Sequence, residues 1–374
     1  MSVWEKESFF APKDVIIIGS GFVGLWTAYY IKRRYPKKTV TILERGIIPT
    51  GASTRNAGFA CFGSLTELME DAAQVGMDKT LELVEMRFKG LERIQKVFKR
   101  RSIDFKLTGG YDLVDSSMNL GRGELEEQAH EMNQELKTQL SLKEVYRVND
   151  KKIKKFGFGN VLHMIENRYE GALHSGKLSQ ELLSLVQGMG VQILNTISVE
   201  RFEELEGRVV LHTDKGIDFT ATHVVACTNA FASYLFPGID VVPARGQVLL
   251  TAPIEGLKLR GCFHYDHGYY YFRNLGDRVL LGGARNKDFE RERTTEFNTT
   301  AFIQEELERF LSTVILPGQN YKVTDRWSGI MAMGSEKMPI LKKFSDNIIV
   351  AVRMSGMGVA LAPVIGDTVA SMID

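Results

Sequence analysis

Cysteine is scarce in this chain. Its 374 residues hold only Cys61, Cys227 and Cys262, odd in number, widely spaced and without a CxxC pair. That excludes a disulfide framework and a cysteine-rich structural zinc site, and it suits a reducing compartment, so a cytoplasmic location is expected. No apolar run reaches the length of a membrane-spanning helix, and Met1 to Phe10 carries acids in place of the apolar centre of a secretory leader, so neither is expected. An excess of one charge is missing too. Lys and Arg number 47 against 46 Asp and Glu, a net +1, which offers no broad attraction for nucleic acid. The local clusters Lys32-Arg33-Arg34 and Lys99-Arg100-Arg101 read as solvated helix ends. No internal repeat or low-complexity tract stands out. No serine or cysteine sits in a nucleophile elbow, so hydrolase chemistry has nothing to rest on.

What is present begins at Asp14. The run Asp14-Val15-Ile16-Ile17-Ile18 has strand character and enters the turn Gly19-Ser20-Gly21-Phe22-Val23-Gly24. Gly19 and Gly21 allow close backbone approach to a pyrophosphate, and Gly24 allows the next helix to pack tightly on the sheet. The amino end of that helix supplies N–H groups and a positive dipole. A second strand, Thr39 to Leu43, leads to Glu44, about twenty residues beyond the last glycine, where a carboxylate can accept from ribose hydroxyls. Strand, glycines, helix and distal acid together indicate dinucleotide binding.

The length implies two domains. Phe22 to Tyr35 reads as a helix ended by Pro36. The loop Pro49 to Gly58 is rich in small residues, carries one cation and can wrap a phosphate through its N–H groups. Leu65 to Val97 reads as one long helix with Leu81, Val84, Phe88, Leu91 and Ile94 on a buried face. Short β-like runs follow at Phe105 to Leu107 and Tyr111 to Val114, then a solvated helix from Glu124 to Gln139. Leu178 to Gly188 is an apolar helix and Val191 to Leu194 a strand. Val209 to His212 with Phe219-Thr220 reads as a hairpin, and His223 to Ala226 as a separate buried strand. A β-rich block covers Val241 to Gly283, a charged helix Thr300 to Ser312, and Asn347 to Met372 repeats strand, glycine loop and helix. The expected architecture is α/β, a Rossmann-like domain interleaved with a second domain built from the β-rich stretches. The first would take residues 1–62, 165–235 and 335–374, the second 63–164 and 236–334.

Five segments occur in order: the N-terminal fingerprint, Gly51-Ala52-Ser53-Thr54-Arg55-Asn56-Ala57-Gly58, Pro243-Ala244-Arg245-Gly246-Gln247, Arg326-Trp327-Ser328-Gly329, and Ser355-Gly356-Met357-Gly358. Together they resemble the D-amino-acid oxidase-like FAD oxidoreductases, the glycine oxidase, sarcosine oxidase and gamma-glutamylputrescine oxidase types. The resemblance implies FAD in place of NAD, and a Rossmann-like FAD-binding domain interleaved with an α+β substrate domain built on an antiparallel sheet. It also implies oxidation of a C–N bond by hydride transfer to flavin N5, giving an imine that water hydrolyses. A single GxGxxG leaves no separate NAD(P)H site, which favours oxygen or another electron acceptor for reoxidation.

Carried onto this chain, Gly19, Ser20, Gly21, Phe22, Val23 and Gly24 take the pyrophosphate, with Glu44 on the adenosine ribose and Arg45 beside it. Ala52, Ser53, Arg55, Asn56, Ala57 and Gly58 match the loop running toward the isoalloxazine ring. Val199 falls near the adenine, and Thr228, Asn229 and Ala230 form the turn beneath the ribityl chain. Gly329 belongs to the Trp-Ser-Gly strand. Ser355, Gly356, Met357 and Gly358 open the last helix, whose dipole would stabilise charge on the reduced ring. Asn56 stands where some members carry a flavin-linking histidine, and no cysteine lies near the closing motif, so the FAD is expected to be non-covalent.

The departures bear on substrate. The arginine that amino-acid-oxidising members offer to a carboxylate is replaced by Met331, and that of glycine-oxidase types falls near Gly356, so the usual clamp is missing. A small amine or N-substituted amino acid is therefore the expected substrate. A flavin dehydrogenase of an amino or 2-hydroxy acid, and a non-catalytic flavin-binding accessory subunit, are the alternatives. Arg353 reads equally as a pocket residue or a salt bridge away from it, while Arg285 reads as a solvated strand-end charge. His264-Tyr265-Asp266-His267 has an HxxH look but no third ligand, so no metal is expected. His264, Tyr265 or Tyr269 can line the pocket instead. His174 reads as structural.

Overall fold

The computed structural model describes residues 1–373. Its first sheet forms around Lys13–Ile18, whose β-branched residues Val15, Ile16 and Ile17 are fully buried. That strand runs parallel to Val40–Glu44 on one side and to Asp218–Ala226 on the other. Gln192–Asn195 extends one flank and Ile348–Val352 the other, both parallel, and Ile340–Lys343 closes the edge antiparallel. Ile18 is level with both Leu43 and Ala226 in the register, so three strands end together. The turns at Gly19, Arg45 and Cys227 therefore leave from one edge, where open α/β sheets bind ligands. Helix Phe22–Arg34 buries Trp26 against Tyr29, Tyr30 and Phe98, and the final helix Gly358–Ser371 packs along it.

The second sheet has the order 323–333, 242–251, 278–283, 270–275, 262–265, 110–114, 163–167, 146–148. All its pairings are antiparallel except Gly110–Val114 with Cys262–Tyr265, which is parallel. Among the described residues, no helix is long and apolar enough to cross a membrane.

Three elements differ from the sequence reading. The long helix is two, Leu65–Val75 and Met77–Val97, because Gly76 adopts φ 91° and breaks the hydrogen-bond ladder. The hairpin strand and the buried strand are one, Asp218–Ala226. Its first half pairs with Arg208–Thr213 and its second half continues into the parallel sheet, since nothing between Thr220 and His223 interrupts an extended backbone. Phe105 to Leu107 is no strand and contributes a single bridge from Lys106 to Ala172.

Candidate active site

A cavity of about 500 Å3 is lined by residues of both sheets. At one end helix Phe22–Arg34 begins, with Gly19, Gly21, Phe22 and Val23 on the wall. Gly19 has φ 102°, and a Cβ on Gly24 would collide with the Gly19 carbonyl oxygen, so both positions need glycine for so tight an entry. Gly24 and Ser20 stand behind the wall. Ser20 donates to Glu44 Oε2 through its N–H at 2.9 Å and its hydroxyl at 2.7 Å, and Gly46 N–H donates to Oε1 at 2.8 Å. These bonds hold the Glu44 carboxylate at the cavity edge. Arg45 lies 3.6 Å from the Phe231 ring centroid, and Val199 is on the same wall.

The small-residue loop is held from three sides. Ser53 Oγ accepts from Phe22 N–H at 2.9 Å, tying the loop to the helix start. Asn56 is spent inside the loop: its amide donates to Ser53 O at 2.8 Å, and its Oδ1 accepts from Gly58 N–H at 2.8 Å and Ser175 at 2.6 Å. Arg55 donates to Thr50 O at 2.8 Å and Ser328 O at 2.9 Å, and Trp327 Nε1 donates to Arg55 O at 2.9 Å. The Trp-Ser-Gly motif thus grips the phosphate loop, with Gly329 beside it on the wall. Ala52 and Ala57 also face the cavity, whereas Gly58 lies behind it. Arg273, which no motif flagged, donates to the carbonyls of Gly58 at 2.8 Å and Leu173 at 2.9 Å.

Buried polar atoms without a hydrogen-bond partner among the described residues include Thr228 Oγ1, Asn229 Oδ1 and Ser355 Oγ, all of residues on the cavity wall. Grouped along one trough, these three fit a polar occupant such as a dinucleotide. Ala230 is fully buried behind the same turn. Gly356, Met357 and Gly358 open the last helix on the wall. Left-handed φ angles at Arg353 (62°), Ser355 (46°) and Gly356 (82°) bend the chain sharply before it.

Arg353 does not reach the cavity. It is 4% exposed, pairs with Asp240 and with Glu336 at 3.2 Å, and donates to Met338 O at 3.0 Å, so it braces the bend. Tyr265 also turns away. Its hydroxyl donates to Asp115 and its ring packs 4.8 Å from Phe310, because side chains alternate along Cys262–Tyr265 and His264 takes the cavity face. The same alternation places Tyr269 and Tyr271 on the wall and buries Tyr270 and Phe272 in the core. His174 caps helix Ser175–Gly188 by accepting from Lys177 N–H.

Beyond the loops the wall is Phe59, Cys61, Tyr269, Tyr271, Met331 and Met333, with Arg285 among them. The reading of Arg285 as a solvated charge gives way to a cavity position. Its guanidinium lies 4.7 Å from the Phe289 centroid and 5.9 Å from that of Tyr269, and burial lowers its pKa. Helix Leu65–Val75 turns Glu67, Glu70 and Asp71 to the rim. Burial pushes the Glu67 carboxyl up, but Lys337 at 3.1 Å and Arg87 at 3.5 Å overcome it and hold the pKa at about 2. Burial raises the Tyr271 phenol to about 12 and depresses His264 to about 4, so both are neutral near pH 7.

The HxxH pair does not converge. His267 pairs with Glu70 at 3.4 Å, while His264 gathers with Cys61 and Glu170, their polar atoms within 4.8 Å of one another. Glu170 accepts from the N–H groups of Phe62 at 2.8 Å and Gly63 at 3.1 Å, yet burial outweighs them and lifts its pKa from 4.5 to about 7. Below pH 4.5 the carboxyl is protonated folded or unfolded, and nothing is lost. As pH rises through 7 the folded state forfeits about 3 kcal/mol relative to an unfolded chain free to ionise. Glu170→Gln is therefore expected to raise the thermal midpoint of the holoenzyme by several degrees at pH 8 and to leave it unchanged near pH 4. Scanning calorimetry of both proteins across that range checks it.

A family model for FAD dependent oxidoreductases (DAO) matches residues 14–372. The probable oxidoreductase OrdL of Haemophilus influenzae is 25% identical over 376 residues, spanning 96% of this chain and 82% of that protein. Sarcosine oxidase subunit beta of Rhodobacter capsulatus is 24% identical, spanning 91% and 81%. Among solved structures, L-proline dehydrogenase from P. horikoshii superposes with a TM-score of 0.79 at 19% identity, covering 97% of this chain and 93% of that one. Glycine oxidase from Geobacillus kaustophilus gives 0.76 at 18%, covering 97% and 94%. With the fingerprint, the gripped loop and the helix start all on one trough, this chain belongs to the DAO family of FAD-dependent oxidoreductases.

Proposed function

We propose that the protein oxidises the C–N bond of a small N-substituted amino acid or amine, hydride passing to flavin N5 and water hydrolysing the resulting imine. Bound non-covalently, FAD supplies the two-electron acceptor. The observation that carries the reading is the wall beyond the flavin loops, where neutral aromatic and thioether side chains surround one guanidinium, Arg285, that forms no ion pair with a carboxylate among the described residues. An amine gives up hydride only as the free base, and a wall of Phe59, Tyr271 and Met331 disfavours the ammonium form. Arg285 offers a substrate carboxylate the cation that Met331 does not provide. Glu67 is compensated by Lys337 and Arg87, so it adds little to hold an ammonium there.

Anaerobic titration of the purified holoenzyme with amines, N-alkyl amino acids and 2-hydroxy acids is the test. N-alkyl amino acids should bleach the flavin band, on the order of 450 nm, within the mixing time. Bleaching by 2-hydroxy acids alone would overturn the C–N reading, because Arg285 serves any carboxylate. Hydrogen peroxide on readmission of air identifies oxygen as the acceptor.

A further inference from the structure

The motif Pro243-Ala244-Arg245-Gly246-Gln247 sits on the strand Val242–Thr251, next to the edge strand of the second sheet that carries Trp327, Ser328 and Gly329. Gly246 lies on the cavity wall. Side chains alternate along a strand, so Arg245 and Gln247 leave from its opposite face. They are 3% and 0% exposed.

What they hold is the irregular segment 284–300, which carries Arg285. Arg245 grips Glu292 bidentately, Nε to Oε2 at 2.9 Å and Nη2 to Oε1 at 2.7 Å, and its own N–H donates to Glu292 O at 2.7 Å. It also donates to Asn298 and, at 3.3 Å, to Arg291 O. Gln247 donates to Glu292 Oε1 at 2.9 Å and to Thr300 Oγ1 at 2.9 Å, and accepts from Thr300 N–H at 3.0 Å. A further tie, Asn286 to Asp266 at 2.8 Å, lies beside Arg285. Glu292 is 1% exposed. A buried ion pair is a weak stabiliser, because desolvation offsets its attraction, so its geometric role is the one to examine. Here it closes a loop whose other end is Ala284, held at φ 60°, directly before Arg285.

We propose that Arg245, Gln247 and Glu292 form a clamp that positions Arg285 over the reacting end of the cavity and thereby sets selectivity for substrates bearing a carboxylate. These are positioning residues and touch neither substrate nor flavin. The inference rests on the reading of Arg285 as the partner of the substrate's anionic group. Without the clamp the segment keeps its turns and the Asn286 tie, but the guanidinium is no longer fixed against Tyr269 and Phe289, and a bidentate contact demands that fixity.

The test uses the double variant Arg245→Met/Glu292→Leu, which removes both charges and keeps much of the buried volume. The probes are an N-methyl amino acid and the same molecule with methyl in place of its carboxylate. The double variant should show KM for the acid raised tenfold or more, with kcat, FAD content and the flavin spectrum unchanged, and the methyl analogue unaffected in both constants. Glu292→Gln, which keeps the side-chain shape, is read the same way if the double variant does not purify. Equal losses on both probes, or loss of FAD, would show a merely structural pair and overturn the clamp. Arg285→Met separates the two levels. If it discriminates between the probes and the clamp variant does not, the clamp alone fails. If Arg285→Met treats both probes alike, the anion-site reading falls and the clamp with it.

Discussion

Gly24→Val leaves a folded protein that has lost its cofactor, with FAD affinity down about 100-fold, equivalent to about 3 kcal/mol. The cause is local. A Cβ at position 24 meets the Gly19 carbonyl oxygen, with Ile17 Cγ2 at 3.3 Å on the other side, and neither is the free end of a flexible side chain. Relief comes only by moving the start of helix Phe22–Arg34 away from the strand end. The same movement withdraws the amides at Gly21 and Phe22 from the pyrophosphate and breaks the Phe22 to Ser53 bond that seats the phosphate loop. Gly188→Ala is the matched control. It ends the helix Ser175–Gly188 at the opposite end from Ser175, off the cavity wall, and a Cβ there meets nothing within 4 Å. Fluorescence titration of both apoproteins with FAD, alongside far-UV circular dichroism, reads the difference. Unchanged affinity in a folded Gly24→Val protein would mean that the helix start contributes nothing to binding.

The cofactor end was legible in the sequence because its requirements are local. A tight turn demands glycine at fixed offsets, a buried strand demands Val and Ile, and the acid must follow at one strand's distance, so the line from Asp14 to Glu44 reads without a structure. The loop at Ser53 and the helix start at Gly358 read for the same reason. What failed were continuities. Gly76 looked like one residue in a long helical pattern, and only its φ of 91° shows two helices. Thr220 to His223 looked like a break between two strands and is the middle of one.

The substrate end was legible only in part, because it is assembled from side chains far apart in sequence. The alternation in Tyr269 to Phe272 was visible and selects Tyr269 and Tyr271 for the wall. Nothing local separated Arg353 from Arg285. One follows a strand into a left-handed bend and finds Asp240 and Glu336, residues brought near by the fold. The other follows a strand onto the cavity wall, against the rings of Phe289 and Tyr269. Arg273, Glu170 and Glu67 escaped notice for a related reason. Each answers a group more than one hundred residues away, Gly58, Phe62 and Lys337 respectively.

Arg285→Met should therefore be the most selective lesion in the cavity. A charge-assisted hydrogen bond to a carboxylate contributes about 1.5–3 kcal/mol, so kcat/KM for an N-alkyl amino acid should fall by roughly 10- to 150-fold. The decarboxylated amine has nothing to lose, and methionine preserves much of the contact with Phe289 and Tyr269, so its kcat/KM should hold or rise. Arg285→Lys should recover only part of the loss. The ammonium restores the charge but lacks the planar fork that engages both carboxylate oxygens and lies against the Phe289 ring. The three proteins compared on the two substrates by stopped-flow flavin reduction separate charge from geometry. Equal rates for acid and amine in the parent protein would sink the carboxylate reading. They would leave the aromatic and thioether wall, with its preference for a neutral amine, as the whole basis of selection.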